Sequence, residues 1–410
     1  RRRGGPVYPD PLAVPQQWDY VIVGAGAAGC LLAERLTACG RYRVLLLEAG
    51  PTGRSLALGL PIGWTSVAYG KAFNWGFTTT PEAGAADRRV RWPRGRVLGG
   101  STAINGMIYV RGQPRDFDDW AEGGATGWDW RSVEPYFHRF ENHSASPVAG
   151  RLHIQQAKPS LWGERFISAC EAAGIPRNES YLEGETGGAG YYHQNVFRGW
   201  RQSGRLAFLS AAQRRANLTV MTDALVDRVL IDEARVSGVL WRKGHSEPQA
   251  ATAAHTILAA GAIGSPVILQ RSGIGDAAHL QALGITPVID RPAVGQNLQD
   301  HFGTLVATET HAEGTVWASV RPHRLPGQLW NYLSRRQGLL AMPSSDVCVF
   351  HESGFGEPGR PDIQVHFTPA AGIHNEVTGR SAMDPVPGVT AITYRSEEHT
   401  SELQSPDHLV

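Results

Sequence analysis

Residues 19–29 read DYVIVGAGAAG, and the fold turns on how this stretch is read. Asp19 to Val23 is a short β-branched run, Gly24 to Gly29 a glycine turn, and Cys30 to Cys39 an apolar-periodic stretch that predicts a helix ending at Gly40. Val44 to Leu47 predicts a second buried strand. Strand, turn, helix and strand within about 30 residues make one βαβ unit, with a right-handed crossover and a parallel sheet. An α/β domain therefore comes first.

Gly24, Gly26 and Gly29 spell GxGxxG between the strand and the helix, and Glu48 follows the next strand 48 − 29 = 19 residues later. Such glycines let a pyrophosphate approach the backbone N–H groups at the positive end of a helix, while the carboxylate accepts from a ribose diol. The motif points to an adenine dinucleotide. A carboxylate at this place disfavours a 2′-phosphate, so NADP is the weakest candidate, but the fingerprint does not separate NAD from FAD. The bland alternative, glycines that only let a helix pack on a sheet, leaves Glu48 without a reason.

Beyond this unit, 410 residues at about 150 per domain predict two or three domains, and 42% hydrophobic content is enough for real cores. Lys+Arg 39 against Asp+Glu 38 gives +1, no field for gathering nucleic acid or anionic lipid. Cys30, Cys39, Cys170 and Cys348 are scattered, so neither a zinc site nor a disulfide framework is expected, and the default is a reducing, cytoplasmic setting. No run approaches the roughly 18 apolar residues of a membrane span, which leaves peripheral attachment open. The longest, Thr256 to Leu269, is broken by Gly261, Gly264 and Pro266. Residues 1–16 read as a disordered leader. Asn142, Asn178 and Asn217 head chance N-x-Ser/Thr triplets.

From Gly50 to Arg91 the pattern is irregular and aromatic, as in an excursion over a surface. Leu218 to Val226, Arg228 to Ile231 and Val236 to Trp241 predict antiparallel strands, and His255 to Ala260 a buried one. Ser265 is then placed to cap a helix entered by Pro266 and ended by Ser272 and Gly273.

Arg94 to Gly112, RGRVLGGSTAINGMIYVRG, is glycine-rich and charge-poor, with small hydroxyls that can lie flat against a large ring. Here the sequence resembles the glucose-methanol-choline (GMC) flavin oxidoreductases. Gly95, Gly99, Gly100, Ser101, Thr102, Ile104, Asn105, Tyr109, Gly112 and Asp118 look like that family's first signature. Gly261, Ala262, Ser265, Pro266, Ser272, Gly273, Ile274 and Gly275 look like its second, and Val294 to His301, VGQNLQDH, is similar to a further family stretch. The matches run from about Asp19 to His301.

The resemblance implies FAD. Its pyrophosphate would lie on Gly24, Gly26, Ala27, Ala28 and Gly29, its ribose on Glu48, and its adenine on Val226. Its isoalloxazine would lie beside Val97, Asn105, Gly106, Met107 and Ile108, and Ala49, Trp75, Gly100, Ser101 and Gly261 are further cofactor-binding candidates. Asn105 stands where some members carry a histidine bonded to the flavin, which implies non-covalent FAD. In such enzymes an alcohol yields a proton to a base and a hydride to flavin N5, giving an aldehyde, and electrons pass on to a quinone or another acceptor. The family's base is a histidine from a C-terminal segment with no counterpart here, so no catalytic residue is assigned. His399 and His408 lie in RSEEHTSELQSPDHLV, which is unlike the family and resembles translated sequencing-adapter DNA; a non-native tail is expected over 395–410. His301, His351 and His366 read as neighbours of the site rather than the base.

The fold expected is α/β: a doubly wound, Rossmann-like FAD-binding domain from 17–49, 91–144 and 217–303. A sheet-and-helix (α+β) substrate domain would take 153–215 and 304–394. Pro361 to Ala370, PDIQVHFTPA, resembles a central strand of choline-dehydrogenase-like and aliphatic-alcohol-dehydrogenase-like members. Ser345 and His366 stand where a photodecarboxylase relative would place a cysteine and an arginine. Trp317, Trp330 and Tyr332 are the aromatics on offer for a choline cage, none assignable. The reading is an FAD-dependent alcohol dehydrogenase, C-terminally truncated and inactive as written. The alternatives are a flavin lyase or photodecarboxylase on the same scaffold, and a catalytically dead FAD-binding fragment.

Overall fold

The computed structural model describes residues 18–82, 86–144, 146, 149–182, 187–301, 303–311, 313–375, 380–383 and 386–395. The expected leader, His399, His408 and the tail after Arg395 lie outside them. The chain forms two compact units, one from the residues up to Gly53, Arg96–Ser101 and Gly204–Asn297, the other from Arg54–Gly95, Thr102–Ser203 and Leu298 onward.

The first unit is built on a six-stranded sheet in the order Leu218–Met221, Val44–Leu47, Trp18–Val23, Gln249–Leu258, Arg235–Lys243, Ala224–Asp232. The first four strands run parallel, with Tyr20 opposite both Val44 and His255, and the last two pair antiparallel. Val44–Leu47 is buried at every residue, as a central parallel strand must be. Val21, Leu45, Val229, Val239, Trp241 and Ile268 share one core. Helix Ala27–Thr37 turns Cys30, Ala33 and Thr37 inward at three- and four-residue spacing.

Three local expectations are corrected. The first helix starts at Ala27 rather than Cys30 because Gly26, in extended conformation, ends the turn. The strand expected over Leu218 to Val226 is two strands: Asp223 takes a φ of +57°, so Leu218–Met221 joins the parallel sheet and Ala224–Asp232 the antiparallel hairpin. The later helix spans Gly261–Arg271 with Pro266 inside it, and the Ser265 hydroxyl accepts from the Ala260 N–H at 3.1 Å instead of capping a helix of its own.

The second unit holds a five-stranded antiparallel sheet in the order Gly303–Glu309, Gly388–Arg395, Ile363–Thr368, Val347–His351, Gly188–Tyr191. Ile363–Thr368 is its middle strand, as the reading of Pro361 to Ala370 expects. Helix Leu161–Ala172 packs Ile167 and Cys170 on Ala189, Val347 and Val349, with Phe166 stacked on Phe367 at 4.2 Å. Residues 102–144, expected in the FAD domain, fold within this unit. The side-chain amides of Asn142, Asn178 and Asn217 all donate to backbone carbonyls, in keeping with chance triplets. The four cysteines are free, and no helix among the described residues is long and apolar enough to cross a membrane.

Candidate functional site

The glycine turn of the first unit has three glycines with different reasons. Gly24 has a φ of +97°, and a Cβ on it would come 2.4 Å from the Ala259 carbonyl oxygen. A Cβ on Gly29 would sit 1.9 Å from the Gly24 oxygen, so helix and turn demand glycine there. At Gly26 the only atom within reach of a Cβ is the Ala259 oxygen at 4.0 Å. The protein itself does not need glycine at 26, and that is the signature of a cradle kept open for something that approaches the backbone. The helix begins there without a side-chain cap and without an acidic residue in its first turn, leaving its N–H groups for an anion.

Glu48 is buried and clamps the turn: Oε2 accepts from Ala25 N–H at 2.9 Å and Oε1 from Gly50 N–H at 2.8 Å. Burial pushes its carboxyl up, while these two backbone donors pull the other way. Each oxygen keeps a second lone pair for a ribose hydroxyl. Gly99 N–H donates to the Ala25 oxygen at 2.8 Å, and Gly100 packs so close that a Cβ on it would meet Gly26 Cα at 2.7 Å. Val97 is buried in the same loop, Ser101 is exposed, and Arg96 Nε reaches the Ala49 oxygen at 3.3 Å. The unit thus brings Gly24, Gly26, Ala27, Ala28, Gly29, Glu48, Ala49, Val97 and Gly100 together. Val226 lies beside a bulge of its strand, and Gly261, with a φ of +80°, opens a helix onto free space.

Trp75, Asn105, Gly106, Met107 and Ile108 belong to the second unit. Trp75 stacks on Phe77 at 5.7 Å. Asn105 Oδ1 accepts from Met107 N–H at 3.2 Å and from Arg201 Nη1 at 2.8 Å, and the same Nη1 donates to the Asn105 carbonyl at 2.7 Å. Arg201 is wholly buried, and desolvation lowers its guanidinium to about 10. It fixes the turn in which Met107 adopts a φ of +65°. Gly106 admits no Cβ because Ser344 Oγ stands 2.2 Å away, donating to the Gly106 carbonyl at 3.0 Å.

Within the second unit lies a cavity of about 810 Å³ whose lining includes Tyr69, Trp92, Gly106, Ile108, His301, His366 and Tyr394. His366 is held edge-on between Tyr192 at 5.3 Å and Tyr394 at 4.9 Å, and burial lowers it to about 4, with the His301 charge a lesser cause. His301 is exposed, its backbone N–H on Asp300 Oδ1 at 2.9 Å, and His351 is exposed at a strand end. Trp317, Trp330 and Tyr332, to which no cage is assigned, are absent from this lining: Trp330 is exposed and the Tyr332 hydroxyl donates to the Gly199 carbonyl at 3.1 Å. Ser345 is buried and donates to the Phe367 carbonyl at 2.6 Å.

Beside the cavity is a cluster the sequence reading missed. Glu141 is fully buried and accepts from Arg111 Nε at 2.8 Å, from Arg111 Nη2 and from the Tyr109 hydroxyl, with His143 Nε2 at 3.3 Å. The signal was one cation, Arg111, inside the otherwise uncharged run INGMIYVRG. Nearby, His193 is buried with Nδ1 unpartnered, and burial, then the His143 and Arg111 charges, lower it to about 4. Both His193 and His366 are neutral in the fold but take up a proton below 6.5 when the chain unfolds. Their contribution is complete above 6.5 and is lost as pH falls toward 4. For His193 it reaches about 3 kcal/mol. Thermal melts from pH 7 down are expected to drop steeply across that window, and His193→Phe to flatten the drop. Parallel curves for the two proteins would refute this.

Residues 18–303 match the GMC oxidoreductase family. Oxygen-dependent choline dehydrogenase of Photobacterium profundum is 38% identical over 86% of this chain and 64% of its own length. Alcohol dehydrogenase [acceptor] of Pseudomonas putida is 34% identical over 86% of this chain and 65% of its own. The chain thus spans somewhat less than two thirds of these curated relatives. Pyridoxine 4-oxidase from Mesorbium loti superposes with a TM-score of 0.76 at 30% identity, over 92% of this chain and 71% of that one.

Proposed function

The chain belongs to the GMC oxidoreductase family, whose cofactor is FAD, and from that premise we propose that the protein is an FAD-dependent oxidoreductase of CH–OH groups, turning a primary alcohol into an aldehyde. The observation that carries the reading is the open cradle at Gly26, with Glu48 clamped beneath it. In this reading the first unit holds the dinucleotide, its N–H groups at Ala27 and Ala28 facing the pyrophosphate and Glu48 the ribose. FAD held there supplies the hydride acceptor. Asn105, fixed by Arg201, presents an amide and no imidazole, which supports non-covalent binding. The cavity of the second unit receives the substrate, and four free cysteines support a reducing, cytoplasmic setting.

The relatives' names, an oxygen-dependent choline dehydrogenase and an alcohol dehydrogenase [acceptor], support choline or another alcohol as the substrate class; the acceptor is read as a quinone or other carrier. Tyr69, Trp92 and Tyr394 offer the cavity aromatic faces, but Arg91, Arg94 and Arg111 line it alongside the carboxylates Asp116 and Asp300, and Asp300 is paired with Arg94 at 3.5 Å, so the charge of the lining does not single out a cationic alcohol. Burial lowers His366 to about 4, which makes it a weak acceptor for an alcohol proton at neutral pH, and it is not assigned as the base. We therefore propose that these 410 residues bind flavin without turning over. Purified chain is expected to show flavin absorbance that persists when short and medium-chain alcohols or choline are added without oxygen. Bleaching would overturn the assignment of no base, and colourless protein that stays so with added FAD would overturn the cofactor site.

A further inference from the structure

Helix Leu325–Arg335 wears its polarity inside out. Leu325, Leu329 and Leu333 recur at every fourth residue with Trp330 beside them, so about 3.6 residues per turn sets all four on one arc. That arc is in solvent: the four are 45%, 50%, 57% and 72% exposed. The inward side is polar. Gln328 Oε1 accepts from Leu339 N–H at 3.2 Å, Asn331 Nδ2 lies where a Cβ on Gly338 would be 2.7 Å away, and Tyr332 is buried. A helix packed only to cover a core does the reverse.

The charge around it is equally one-sided. Residues 315–345 contain Arg321, Arg324, Arg335 and Arg336 and no Asp, Glu or Lys, so 4 − 0 = +4 falls in a segment of a chain whose total is +1. All four arginines are exposed and flank the apolar arc at both ends. The carboxylate paired with Arg324, Glu313, stands 4.0 Å off and is itself largely in solvent. A nucleic acid would answer the arginines and leave the leucines wet. A second copy meeting this face about a two-fold axis would bring eight arginines together with no carboxylate from either segment.

We propose that this face docks on an anionic lipid bilayer, with Leu325, Leu329, Trp330 and Leu333 seated at the acyl boundary and the arginines on lipid phosphates. The chemistry required is an apolar layer beneath a sheet of negative charge, and a bilayer surface supplies both in that order. The near-neutral whole-chain charge conceals this local field.

The test is co-sedimentation of the 410-residue chain with vesicles of phosphatidylcholine plus phosphatidylglycerol, and of phosphatidylcholine alone. Binding is expected to the anionic vesicles only, to weaken in high salt, and to fall about tenfold in Trp330→Glu/Leu333→Glu and severalfold in Arg335→Gln/Arg336→Gln. These positions are exposed, so the melting temperature of each variant, measured alongside, is expected to match the parent. Failure of the parent to pellet with anionic vesicles would overturn the proposal, as would pelleting undiminished by the Glu substitutions. A dimer without vesicles that the same substitutions convert to monomer would assign the face to a second copy instead. None of these outcomes depends on bound flavin, so they stand or fall apart from the cofactor reading.

Discussion

Gly26→Ala is expected to leave the fold standing and to deprive the protein of flavin. The backbone at Gly26 has a φ of −74° and ψ of −162°, open to any residue, and a Cβ there meets nothing nearer than 4.0 Å. Stability should therefore change by less than about 1 kcal/mol. The same methyl group would occupy the space through which a pyrophosphate reaches the helix N–H groups, and affinity for FAD should fall by about a hundredfold or more. Gly29→Ala is the contrasting variant: its Cβ would lie 1.9 Å from the Gly24 oxygen, so it should lose both the melt and the flavin. Visible absorbance of the purified variants, and melting with and without added FAD, separate the two cases. A Gly26→Ala protein that is isolated with full flavin would sink the placement of the pyrophosphate.

That contrast also says what a sequence can and cannot disclose. Both glycines belong to one motif, and the spacing alone disclosed the strand, the turn and the helix after it, though not that the helix starts at Ala27, because a βαβ unit is local and its periodicities are strong. The reason for each glycine came only from long-range approach: Gly29 answers to Gly24, Gly26 to no protein atom. Misreadings arose where one backbone angle redirected the chain. Asp223 split a continuous apolar run into a parallel and an antiparallel strand. The aromatics Trp317, Trp330 and Tyr332 were offered for a cage by type, but type does not say which way a helix turns, and Leu325–Arg335 turns its apolar arc outward. Arg201 and Glu141 were invisible because burial of a charge is a tertiary event: each is far in sequence from the groups it holds.

The buried cluster around Glu141 should show how much of the second unit's stability rests on such an event. Glu141→Gln removes the charge that compensates Arg111, itself nearly fully buried, and replaces acceptors for two guanidinium nitrogens and the Tyr109 hydroxyl with an amide that can satisfy fewer of them. An unpaired buried cation of this kind costs about 3–5 kcal/mol, which in a unit of this size lowers the melting temperature by roughly 10 °C. Arg111→Met/Glu141→Leu, which deletes both charges and keeps the volume, should recover most of that loss, since the desolvation of the pair disappears with it. The acid limb of stability carries the same signature. Burial pushes the Glu141 carboxyl up, but the Arg111 and Tyr109 hydrogen bonds and the Arg111 charge bring it below the ordinary carboxylate value of 4.5. Its contribution is present above 4.5 and is lost as pH falls from 4.5 through the lowered value, whereas the histidine loss already begins at 6.5. In the double variant this final acid step should vanish while the histidine step remains. A single variant that melts like the parent at neutral pH would mean that water already reaches Arg111, and that the cluster contributes no more than an exposed ion pair.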